Sequence, residues 1–208
     1  MKKTAVLITL FILPIVAYLF FASGVNNFGR LPVLTDTIDV KSLNANDIAL
    51  ENKITILGFL GSDIASRRGN MFNLNQKIYK RFHEFQDFQF VMVVSEGLQD
   101  QVDDLKKEIG HLGGTEKWNF AFMTENEITE LFNSLKTDIT LNENRSTPFV
   151  FIVDKEAKLR GRNKDEEDGV VFGFDTSSVA ELNNKMVDDV KIILAEYRLA
   201  LKKNNADR

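Results

Sequence analysis

The sequence contains no cysteine. That excludes a disulfide framework, thiol redox catalysis, a cysteine nucleophile and a thiolate metal site. Histidine is nearly as scarce. His83 and His111 are the two imidazoles, and a stretch that reads as a strand and a helix separates them, so no zinc-type ligand spacing exists. Basic residues are not in excess: the net charge is -4 and the isoelectric point is about 5.3. No Lys/Arg patch with interleaved aromatics appears, so the electrostatic footprint of a nucleic-acid binder is missing. Ser62 and Ser66 have no G-x-S-x-G setting and no nearby imidazole, which leaves a serine nucleophile without a base. The clusters Asp100, Asp103, Asp104 and Asp165–Asp168 lack the alternating ligands and glycine of a calcium loop, and read as solvated faces. There is no internal repeat and no low-complexity tract.

Phenylalanine is abundant, with 17 residues against one Trp and three Tyr. With 44% hydrophobic and 27% charged residues, the composition is that of a globular domain with a well-filled core. The clearest single signal is at the N-terminus. After Lys2 and Lys3, residues 5–22 (AVLITLFILPIVAYLFFA) carry no charge. Extended to Val25, the segment gives about 30 Å of helix, matching a hydrocarbon core. Residues 1–25 therefore read as one transmembrane anchor. A cleaved signal is the alternative, with Ala22-Ser23-Gly24 small enough for a cleavage site. Lys2 and Lys3 precede the span and no basic residue follows until Arg30, which places the N-terminus in the cytoplasm. In a bacterium the rest of the chain would then be periplasmic, on a single-pass inner-membrane tether.

Residues 26–52 read as a linker and leader, 53–202 as one domain and 203–208 as a polar tail. Within the domain, Ile54–Leu60 and Phe88–Val94 are apolar runs read as strands. Between them Met71, Leu74, Ile78, Phe82 and Phe85 recur at helical spacing. A charged helix over 98–109, a strand over 118–123 and a short helix marked by Ile128, Leu131, Phe132 and Leu135 follow. Then come a strand over 148–154, a hairpin return over 158–162, a possible strand over 170–174 and a long final helix. Ser66 or Asn70 is the expected cap of the first helix. Alternating helices and strands predict an α/β fold, a central mixed sheet with helices on both faces. A ββα closing a βαβ unit is the thioredoxin arrangement. Thr147-Pro148 stands where thioredoxin folds usually place a cis-proline, although the isomer is not legible in sequence.

Several stretches in this order carry a resemblance. They are FGRLPVL (28–34), TILGFLGSDIASRRGNMFNL (55–74), EKWNFAFMTENEITELF (116–132) and RSTPFVFIVDKEAKLRGR (145–162). Together the chain resembles the Sco/SenC copper chaperones of cytochrome oxidase assembly, especially the membrane-anchored bacterial forms. The resemblance implies a thioredoxin-like fold and a copper site of two Cys and one His. Matched on Met71 and on the turn at Asp154, those positions hold Ile64, Arg68 and Arg145. Ile64 has no lone pair, and two guanidiniums cannot accept a metal. The expectation is a degenerate member with no metal, no cofactor and no enzymatic chemistry, acting as a binding or assembly module for an envelope protein. The alternative is an accessory factor in copper delivery whose partner supplies the ligands. Arg67, Arg68 and Arg145 are the candidate anion or partner surface.

Overall fold

The computed structural model describes residues 10–16, 29–111 and 113–206. Strand β2 (Ile54–Gly61) is buried along its whole length. Its alternate residues feed two cores: Ile54, Ile56 and Leu60 enter one, Leu57 and Phe59 the other. Strand β3 (Phe88–Ser95) does the same, with Phe88, Phe90, Met92 and Val94 on one side and Val91 and Val93 on the other. A strand covered on both faces needs apolar side chains at both parities, which is why these runs are continuous. Strand β3 pairs parallel with β2 and with β4 (Trp118–Met123). On the other side of β2 lies antiparallel β5 (Phe149–Val153), followed by antiparallel β6 (Leu159–Arg160).

Helix α2 (Ile64–Leu74) continues through a π-helical turn, Asn75–Tyr79, and a last turn, Lys80–Phe82. It shares one face of the sheet with α3 (Gln99–Gly110) and α5 (Val187–Ala206). Helix α4 (Glu125–Ser134) covers the other face with α1 (Lys41–Ala45). Thr124 caps α4 in a capping box with Glu127. A βαβ unit (β2, α2, β3) and a ββα unit (β5, β6, α5) thus share one mixed sheet. The arrangement is thioredoxin-like.

Four expectations are corrected. The stretch 26–52 is not a plain linker. It contains α1 and strand β1 (Val33–Thr35), which pairs with β6 at the sheet edge. The first helical stripe ends at Phe82, and Phe85 is 41% exposed beyond it. The π-helical turn resets the register, so Asn75 and Tyr79 are buried alongside Ile78. The stretch over 170–174 is two short strands. Strand β8 (Gly169–Val171) pairs with β7 (Arg162–Asp165), and β9 (Phe174–Asp175) pairs with β5. Finally, α5 runs to Ala206, so the expected tail begins inside a helix. The expected anchor lies mostly outside the described residues. Its described part, 10–16, is helical and exposed. Among the described residues no helix is long and apolar enough to cross a membrane.

The acidic run after β7 is not simply solvated. Asp165, Glu167 and Asp168 gather their carboxylates around the Lys185 ammonium at 3.0, 3.2 and 2.6 Å. Lys185, and next to it Arg162, hold the Asp165 carboxyl well below the ordinary carboxylate range. The Lys155 hydrogen bond lowers Asp87, and the Thr124 backbone N–H lowers Glu127. Each folded-state pKa lies below its unfolded value. The stabilisation is therefore complete above the ordinary range and is lost as pH falls through it toward the folded values. Asp189, raised by burial, works in the opposite sense. The urea midpoint should hold down to about pH 5 and fall below about pH 4. Asp165→Asn should flatten that fall, and an unchanged slope would place the acid sensitivity elsewhere.

Candidate functional site at the end of strand β2

Strand β2 ends in a tight turn at Gly61, which has φ +53°. The loop 142–147 lies directly on it. A Cβ at Gly61 would sit 1.9 Å from the Asn144 carbonyl oxygen, so only glycine lets the two backbones meet. Ser62 N–H donates to that same carbonyl at 2.9 Å, and Thr147 N–H donates to the Phe59 carbonyl at 3.0 Å. The loop holds its own shape through Asn142, whose Oδ1 accepts from Ser146 N–H (2.9 Å) and from Ser146 Oγ (3.1 Å). Arg67 Nε reaches across from α2 to Ser146 Oγ at 3.4 Å.

A third segment completes the site. Thr176, buried just after β9, donates its Oγ1 to the Pro148 carbonyl at 2.5 Å and accepts from Asn70 Nδ2 at 2.9 Å. Asn73 Nδ2 donates to the Thr176 carbonyl at 3.0 Å. Thr176 therefore joins helix α2 to the Pro148 loop. No motif in the sequence marks it, because the link spans 106 positions. Asn70 serves this bond rather than capping α2, and Ser66 Oγ turns back to the Asp63 carbonyl. No side chain caps α2. The Thr147–Pro148 bond is not cis; no cis peptide occurs among the described residues. The trans form is intrinsically favoured. Its neighbouring groups are fully engaged, Thr147 N–H with Phe59 and the Pro148 carbonyl with Thr176.

The three positions matched to copper ligands have separate surroundings. Ile64 is 1% exposed and packs into the core with Met71 and Leu74. Arg68 Nη1 lies 2.6 Å from Glu108 Oε1 on α3. Arg145, itself at φ +54°, places Nε 3.5 Å from Glu125 Oε2 on α4. The two guanidiniums thus pair outward to different helices, while Arg67 stays over the loop. His83 stacks on Tyr79, and its Nδ1 lies 3.1 Å from the Tyr79 carbonyl. His111 follows α3 and is exposed. Neither reaches the loop as a ligand. A soft cation needs thiolate or imidazole donors, and a buried isoleucine and two paired guanidiniums do not fit one. Trp118 stacks on Phe90 at 4.6 Å and is a core residue. Asp154 is buried and organises the turn between β5 and β6: its Oδ1 accepts from Glu156 N–H and Lys158 N–H.

No protein-family model matches the chain. No curated protein sequence matches it either. Solved structures similar in overall shape include a SCO1/SenC family lipoprotein from Bacillus anthracis str. Ames. It shares 15% identity at a TM-score of 0.49, over 81% of this chain and 96% of that one. The ScoI of Arabidopsis thaliana with copper bound shares 19% identity at 0.43, over 68% of this chain and 86% of that one. A thiol:disulfide interchange protein from Bacteroides sp. shares 13% identity at 0.38, over 63% and 77%. The fold assignment rests on strand order and helix placement rather than on these likenesses.

Proposed function

We propose that the chain is a Sco/SenC-related, thioredoxin-fold binding or assembly module without metal or thiol chemistry, tethered to the bacterial inner membrane and facing the periplasm. One observation carries the reading. The two loops that meet at Gly61 form a bonded platform, yet the three positions matched to ligands hold a core isoleucine and two ion-paired arginines. The platform is held by its own hydrogen bonds, and none of these three positions offers a thiolate or imidazole donor. Its accessible groups are Ser62, Arg67 and the polar loop around Arg145, which suit an envelope protein partner presenting carboxylates.

Two measurements test the proposal. In a Cu(I) competition titration against a chelator, the purified chain should take up no tight equivalent. One tight equivalent per chain would overturn the reading. Crosslinking of the intact protein in its native membrane should capture a protein through the platform, and Arg67→Glu should weaken the capture. If the captured complex instead holds stoichiometric copper, the protein is an accessory to copper delivery with ligands from its partner.

A further inference from the structure

The pole of the domain opposite the Gly61 platform carries a second feature. At the start of β2 a cavity of about 230 Å³ opens between Ile54, Phe85, Leu194 and Tyr197, with Lys155 and Arg198 on its rim. Its apolar walls are flanked by Gln86, Asp87, Lys155 and Arg198, and Phe85 stands 41% exposed at its edge. Cations gather around it. Lys117 Nζ donates to the carbonyls of Phe85 and Gln86 at the lip. Lys53 precedes Ile54 and lies close enough to bear electrostatically on Asp87 and Lys117. Lys155 lies over the Tyr197 ring at 5.4 Å. Asp87 and Glu156 are two carboxylates that face these cations, and both are engaged within the patch. Asp87 accepts from Lys155 at 2.6 Å, and Glu156 accepts from Tyr197 Oη.

The chain enters the domain beside this pole. Arg160 donates through Nε to the Leu31 carbonyl at 2.7 Å and through Nη2 to Glu196 at 2.6 Å, one residue from Tyr197 in the cavity wall. Residue 31 is thereby fixed next to the patch. The expected anchor ends at Val25, so residues 26–30 are all that separate the two. Five extended residues span at most about 18 Å.

We propose that this pole seats on the anionic phosphate headgroups of the membrane that holds the chain, with Phe85 entering the interface and the Lys53, Lys117 and Arg198 side chains against lipid phosphates. The inference rests on residues 1–25 being an anchor. Exposed aromatic surface ringed by Lys and Arg is the composition of an interfacial contact. Seating this pole turns the Gly61 platform away from the bilayer, where a partner reaches it.

The absence of cysteine makes the test direct. The full chain carrying Phe85→Cys, or Ser62→Cys as control, is labelled with a single fluorophore. It is then reconstituted in vesicles of phosphatidylcholine alone or with about a third phosphatidylglycerol. Headgroup spin labels should quench the position-85 label at least about threefold more with anionic lipid, and about 1 M salt should remove the difference. Lys53→Glu with Arg198→Glu should do the same. The position-62 label should stay unquenched throughout. Equal quenching at the two positions, or no dependence on anionic lipid, overturns the proposal. Retention on vesicles after alkaline carbonate is read on the same samples. Loss of retention overturns the anchor, and with it the seating, whereas retention without quenching at position 85 overturns the seating alone.

Discussion

Gly61→Ala should destabilise the domain by about 3 kcal/mol and lower the Tm by roughly 6–12 °C. Two costs combine. The backbone sits at φ +53°, where an L side chain costs about 1–2 kcal/mol. The new methyl would also fall 1.9 Å from the Asn144 oxygen and 2.6 Å from the Arg145 carbonyl carbon. Both are backbone atoms, so no side chain can swing aside. The loop 142–147 would have to lift, releasing the Ser62–Asn144 and Thr147–Phe59 bonds. Gly69→Ala is the matched control. That glycine lies within α2 with open space around it, so alanine should stabilise by about 0.5–1 kcal/mol. Thermal unfolding followed by circular dichroism separates the two. Equal Tm shifts would mean that the two loops are not clamped together.

Arg160→Met should cost about 3–5 kcal/mol, read from urea unfolding. The Arg160 side chain is 5% exposed, and it bonds Asp154 (1% exposed) at 2.9 Å as well as Glu196 and the Leu31 carbonyl. Methionine fills much of the volume but leaves the buried Asp154 Oδ2 and the Leu31 carbonyl without their Arg160 donors. The loss comes from those orphaned groups more than from the attraction itself. Arg160→Met combined with Asp154→Asn should therefore recover part of the stability, because the amide is neutral and its oxygen still accepts from Glu156 and Lys158. A loss below about 1 kcal/mol for the single variant would put this pair in the class of exposed ion pairs.

The central strands were legible because burial on both faces leaves a mark in the sequence. Ile54–Gly61 and Phe88–Ser95 are apolar at both parities, and few other local structures need that. The helix after β2 was legible in its stripe but not in its length. A π-helical turn inserts one residue per turn, and nothing in NQKIY announces it. Strand β1 escaped notice because three residues, VLT, carry too little pattern; its evidence is a partner far along the chain. The acidic run at 165–168 shows the same limit. Its composition reads as surface, and the ammonium that organises it lies 20 positions away from Asp165.

At the platform, the sequence located both loops and showed Ile64, Arg68 and Arg145, none of them a soft-metal donor, at the matched positions. It did not disclose that Arg68 and Arg145 turn to different helices, because Glu108 and Glu125 belong to elements whose placement only the tertiary fold decides. Thr176 was invisible for a plainer reason. A threonine after a short strand has no distinguishing local chemistry, and its worth lies in touching α2 and Pro148 at once.

The bond from Arg160 to Leu31 joins residues 129 positions apart. A ribosome making about 5–20 residues per second needs roughly 6–26 s to cover that distance. Through that interval the first strand has been synthesised but has no hydrogen-bonding neighbour, and unpaired strands of this kind invite intermolecular pairing. The nascent chain thus has an aggregation window set by the elongation rate, and slowing translation should widen it.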